Sequence, residues 1–206
     1  MVFLHMKRIE YALLIGIIFA VALSGITGFA AECEELRGEV LRLHIIAGSD
    51  SDDDQRLKYL VRDCILAEGA ELFEGADSTA ARELAHEQLP RIEALARGVL
   101  RENGRSDDVS ARLVNMYFGT RKYGDMLVAA GWYDALRITI GEGEGENWWC
   151  VMFPPMCLPA AAADSDELCE QLEELGQEKF IPRFAVLELA EQARNIFNPR
   201  EEAALP

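Results

Sequence analysis

Basic residues, histidines and paired cysteine motifs are all scarce in this chain, and each scarcity removes a class of function. Lys and Arg number 20 against 36 Asp and Glu, leaving a net charge of −16. A surface so acidic repels a phosphate backbone, so no nucleic-acid partner is expected, and anionic lipid headgroups are disfavoured for the same reason. The five cysteines include no C-x-x-C pair, which argues against structural zinc, and no other metal site is expected. Three histidines, one of them His5 near the start, leave little choice of catalytic base. No G-x-G-x-x-G fingerprint occurs, and no cofactor is implied. What remains is a chain of 206 residues, half of them hydrophobic, with enough apolar content to fold as one domain with short appendages.

Charge is also scarce at the beginning. Lys7, Arg8 and Glu10 are the charged residues among the first 30, and an apolar run from Tyr11 to Leu23 follows them. Gly28-Phe29-Ala30 then offers a small-x-small step. This is the pattern of an export signal, cleaved near Ala31, and the stretch through Ala31 is equally long enough for an uncleaved membrane anchor. Residues 1–30 are thus expected to be signal or anchor, and residues 31–206 a single exported domain. Membrane contact is expected only through the N-terminal segment, if it is uncleaved. Cys33 follows Glu32 where a lipoprotein signal wants a small residue, so lipidation is not expected there.

Along the domain, Val40 to Ile46 alternates as a strand, with Arg42 and His44 on its polar phase. Ser51 and Asp54 resemble a capping box ahead of Leu57, Leu60, Val61, Cys64 and Ile65, one helical stripe. Asp50, Asp52 and Asp54 alternate like the first ligands of an EF-hand, but Gln55 and Val61 stand where its glycine and bidentate glutamate belong. Asp77, Ser78 and Thr79 open a second helix, which Pro90 kinks or restarts before Asn103-Gly104 ends it. His86, between Glu83 and Glu87, is read as a solvated face residue. Val109 to Phe118 and Leu136 to Ile140 read as strands around a Gly-punctuated loop, 119–131. Asp164 to Leu175 and Arg183 to Phe197 read as closing helices, the second ambiguous with a strand over Phe184 to Leu189. Helices ahead of paired strands point to an α+β fold, a mixed or antiparallel sheet packed on helices.

The least ordinary segment is Gly141-Glu-Gly-Glu-Gly-Glu-Asn147-Trp148-Trp149-Cys150, running into a Pro154-Pro155 loop that ends at Cys157. Three glutamates make a phosphate cradle improbable. Cys150 and Cys157 are the natural disulfide pair in an exported chain. Each tryptophan has two readings, a ring plugging the core or an exposed anchor for a partner protein. A rigid apolar segment with Trp148, Trp149, Phe153, Pro154 and Pro155 costs little conformational entropy to dock. Asn147 to Cys157 is therefore the candidate partner surface, with Ser49, Asp50, Asp54 and Gln55 as a second contact. The enzymatic alternative is an exported cysteine hydrolase with Cys150 as nucleophile and His44 or His86 as base.

Leu41-Arg-Leu-His-Ile-Ile-Ala-Gly-Ser-Asp-Ser51 with Asp54, Gln55 and Lys58 resembles the first signature of the stage II sporulation protein R family. So do Phe118-Gly-Thr-Arg-Lys-Tyr-Gly124 and the segment from Gly141 to Cys157. Gly48 and Gly119 depart from the asparagine and proline common there. The resemblance implies a secreted developmental signal of endospore formation and no catalyst. Such a protein is exported from the forespore into the space before the mother cell. There it triggers a membrane-embedded aspartic protease, which processes the mother-cell sigma-E precursor.

Peptide mapping without reductant should recover Cys150 and Cys157 in one linked fragment. The closed loop would contribute about 2.5 kcal/mol by chain entropy, less whatever the prolines already restrict. Two free thiols would remove the disulfide as the main objection to a nucleophilic Cys150.

Overall fold

The computed structural model describes residues 2–123, 126–154 and 181–205. Five strands form a sheet in the order β6-β1-β5-β2-β7. These are β1 (Leu41–Ile46), β2 (Val109–Phe118), β5 (Gly131–Ile140), β6 (Asn147–Phe153) and the short β7 (Ala203–Ala204). β1 runs parallel to β5, and the β1–β6, β2–β5 and β2–β7 pairings are antiparallel. The fold is α+β with a mixed sheet, as the run of helices before paired strands predicts.

Helices α2 (Asp52–Leu72), α3 (Ser78–Glu87) and α4 (Leu89–Glu102) cover one face. Their stripes, Leu57, Val61 and Ile65 of α2 and Ile92, Ala96 and Leu100 of α4, meet Leu43, Ile45, Leu136 and Ile138 in the largest core cluster. The caps are those the sequence announces. Ser51 Oγ accepts from the Asp54 N–H, and Asp77 accepts from the Ala80 N–H, each satisfying a helix-end donor. Pro90 lies in the first turn of α4, where its missing N–H costs nothing, so the long pattern divides into two helices instead of one kinked rod.

The second face is also buried, which alternation alone does not reveal. Arg42 and His44 point to it as a pair, but β1 lies between β6 and β5, and neither side chain reaches solvent: Arg42 is 0% and His44 3% exposed. Val114, Met116, Phe118, Tyr133, Ala135 and Val151 form a second core cluster, and Phe118 and Tyr133 of it lie against the Arg42 guanidinium. Within the expected loop 119–131, β3 (Arg121–Tyr123) and β4 (Met126–Val128) form a hairpin, and Tyr123 and Val128 pack onto this face.

Beyond the hairpin lies a third cluster, Phe29, Cys33, Leu36, Leu127, Ala129, Phe184 and Leu187. It joins the end of α1 (Val2–Gly38) to α5 (Ile181–Phe197), so the segment 184–189 is helical. α1 is one continuous helix across the expected boundary at residue 30, and it is long and apolar enough to cross a membrane. The expected helix at 164–175 lies outside the described residues, as do Pro155, Cys157 and Cys169.

Candidate functional site

Two motifs a hundred residues apart are folded into one structure. After β1 the chain turns through Gly48 and Ser49, while the Gly-Glu repeat after β5 turns back alongside it. The Gly145 and Glu144 N–H groups donate to the Ala47 and Gly48 carbonyls at 3.0 and 3.3 Å, and Ala47 N–H donates to Glu146 O at 3.4 Å. Side chains complete the joint. Asp50 accepts from the Glu146 N–H at 2.7 Å, and the Gln55 amide donates to Ser49 O at 2.9 Å. Lys58, 1% exposed, donates to Gln55 and to the Glu146 carbonyl. Burial draws the Lys58 pKa down, while Glu146 and Asp50 oppose that shift.

Asp54 has three tasks there. Its N–H donates to the Ser51 cap, its carboxylate accepts from Ser49 Oγ, and it pairs with Arg105 at 2.8 Å. Arg105 also binds Asp53 and Asp107, and that contact holds the Asp107 carboxyl below its ordinary range. Ser49, Asp54 and Gln55 are thus the framework that fixes the turn, and Asp50 and Asn147 remain exposed on its outside, with Glu142 and Glu144 beside them. The glycine at 145 is obligatory for space, since a Cβ there would stand 2.3 Å from the Ser49 carbonyl oxygen.

The segment expected as a rigid loop is strand β6 from Asn147 to Phe153, and it forms one edge of the sheet among the described residues. Strand geometry sends its tryptophans to opposite faces. Trp148 meets the ring of Tyr59 edge-on at 5.5 Å, with the Arg62 guanidinium 4.6 Å from its centroid. Trp149 stacks on His44 at 3.8 Å and meets Phe118 edge-on at 5.0 Å. Both rings are half-buried and integral to packing. Phe153 is buried against Phe73, and Pro154 is buried beside it.

Cys150 is 1% exposed and lies in the helix-side core. His44, one pairing position along, projects to the other face, and His86 is exposed on α3. Neither ring can take a proton from Cys150, which removes the geometric basis of the hydrolase reading. Cys33 and Cys64 are the free thiols among the described residues, and Cys150 is not one of them.

Sequence reasoning missed Arg42. Its Nε donates to Cys150 O at 3.0 Å and its NH2 to the Tyr123 hydroxyl at 2.8 Å. The guanidinium also lies 4.3 Å from the centroid of Phe118 and 5.1 Å from that of Tyr133. An arginine inside an alternating strand was the available signal, but its aromatic partners come from distant segments.

His44 Nε2 donates to Asn147 Oδ1 at 2.7 Å, tying β1 to the first residue of β6. Burial pushes the imidazole pKa down from 6.5 to about 4, against the smaller opposing effect of that hydrogen bond.

The family model described as Stage II sporulation protein R (spore_II_R) matches residues 37–163. The chain is 40% identical over 120 residues to the stage II sporulation protein R of Bacillus subtilis (strain 168), a match covering 58% of this chain and 54% of that protein. The chain therefore spans about half the length of the curated relative it matches. No solved structure matches it.

Two predictions rest on this geometry. Gly145→Ala should lower stability by roughly 2 kcal/mol or more, because the added methyl meets backbone and not a yielding side chain. Urea denaturation measures it. For His44 the folded pKa lies below the unfolded one, so its contribution is complete above the unfolded pKa of 6.5 and is lost as pH falls toward about 4. Between pH 7 and pH 5 this should amount to about 2 kcal/mol. His44→Gln should flatten that interval in urea midpoints taken across the pH range.

Proposed function

Because the chain belongs to the stage II sporulation protein R family, we propose that it is the exported signal by which a forespore switches on a membrane-embedded aspartic protease. That protease then processes the mother-cell sigma-E precursor. An N-terminal apolar helix fits delivery across the forespore membrane into the intermembrane space. The observation that supports the reading most is the convergence of the first and last motifs on one end of the sheet, where the Gly-Glu turn meets the edge strand β6.

The receptor-facing surface in this proposal is Asp50, Asn147, Glu142 and Glu144, all exposed around that turn. Ser49, Asp54 and Gln55 shape it from within. Trp148, Trp149, Phe153 and Pro154 hold β6 against the domain behind it, and Pro155 continues that segment. A disulfide from Cys150 to Cys157 would restrain the chain where it leaves β6. Acidic side chains on a fixed turn suit a basic patch on the protease, and association should weaken with salt.

Co-expression with the protease and the sigma precursor in a non-sporulating host provides the test. Processing should depend on this chain, and an unprocessed precursor in its presence would refute the proposal. Glu142→Lys combined with Glu144→Lys should cut processing at least severalfold while leaving the thermal midpoint unchanged. Trp148→Ala and Trp149→Ala should each destabilise the fold, by about 3 kcal/mol for a packed aromatic ring, and so lower the midpoint. A tryptophan variant that keeps its midpoint but loses processing would make that ring a direct contact.

A further inference from the structure

The end of α1 belongs to the folded domain, and it begins to do so before the expected cleavage point. Phe29, Cys33, Leu36 and Arg37 fall at i, i+4, i+7 and i+8, one helical face, and all four are buried. Phe29, 3% exposed, meets Phe184 of α5 edge-on at 5.0 Å. Arg37 donates to the Ala130 carbonyl and pairs with Glu34 and Glu191. Its guanidinium occupies the space beside Gly131, where a Cβ would come within 2.3 Å of Nε. α5 thus runs parallel to α1, with Phe184 at Phe29 and Glu191 at Arg37.

The preceding part of the helix is the opposite in character. Tyr11, Leu13, Leu14, Ile15, Ile17, Ile18, Phe19 and Val21 point in every direction around the axis, and each is more than half exposed. A helix apolar on all sides is built for hydrocarbon, not for one packed interface. At 1.5 Å per residue the 37 residues of α1 extend about 55 Å. A bilayer core of about 30 Å takes roughly 20 of them, which leaves the docked turns outside.

We infer that α1 is retained as a membrane anchor, its apolar part embedded in the lipid bilayer and its last turns fixed into the domain. Cleavage after Ala30 would cut the helix within its docked turns and strip Phe29 from the core cluster it shares with Phe184. Lys7 and Arg8 lie at the end that stays on the side of origin. The first turn of α5 and the β3–β4 hairpin then lie nearest the bilayer surface, and the domain is held at a fixed height instead of diffusing.

The test uses the full chain in cells that carry signal peptidase. After fractionation, the protein should remain in the membrane pellet through alkaline carbonate, with an intact mass that includes Phe29 and the helix before it. A soluble product beginning near Ala31 would overturn the inference, and so would a full-length chain that carbonate releases. In detergent, Phe29→Ala should lower the thermal midpoint of the full chain by several degrees, since the ring is core. An unchanged midpoint would show that the segment is not docked and would likewise overturn it. None of these readouts depends on the protease, so they separate the anchor from the signalling proposal.

Discussion

Arg42 brings a full positive charge between sheet and hairpin, and no carboxylate of the described residues pairs with it. Such a charge costs several kcal/mol to desolvate. A carbonyl from β6, a phenol from β3 and ring faces from β2 and β5 offset that cost jointly. Cation–ring contacts contribute on the order of 1–2 kcal/mol each when water is excluded. The compensation exists only if all four strands arrive together, so the charge specifies the arrangement instead of merely tolerating it. Burial pulls the Arg42 pKa down, yet the guanidinium begins so basic that it remains charged.

The same face extends to the end of the sheet that carries the Gly-Glu turn through contiguous contacts. Phe118 touches both Arg42 and Trp149, Trp149 stacks on His44, and His44 holds Asn147. Asn147 opens β6 directly after the Gly-Glu turn that Asp50, Gln55 and Lys58 secure. The turn is therefore seated on the core and not appended to it. Its outer carboxylates are presented by backbone that has little freedom to move.

How far the residues foretell this arrangement depends on the range of the interaction. Ser51, Asp77 and Pro90 act on neighbours within four positions, and the structure uses them as the local chemistry requires. Val109 to Phe118 switches its apolar face between Leu113 and Val114, yet it reads as a strand because one strand makes its own pattern. Arg42 and His44 look solvated in isolation since Phe118, Tyr123 and Tyr133 lie more than seventy residues away. Asn147 to Phe153 looks irregular because Gly and Pro flank it, although β-branched or aromatic residues fill much of its interior and β1 supplies a ladder. Ser49 to Gln55 suggests a contact site and the Gly-Glu repeat only an unusual turn, and the tertiary fold alone shows that much of their chemistry is spent on each other.

β1 leads the sheet in sequence, sits inside it in space, and has both neighbours supplied late. β5 begins at Gly131 and β6 ends at Phe153, so roughly a hundred residues must emerge before β1 has a ladder on either side. Long-range pairings of this kind are slow to form. In a chain that crosses a membrane as an extended thread, the sheet cannot close while β6 is still on the side of origin. The topology itself ties closure of the sheet to the arrival of β6, whichever way the chain is delivered.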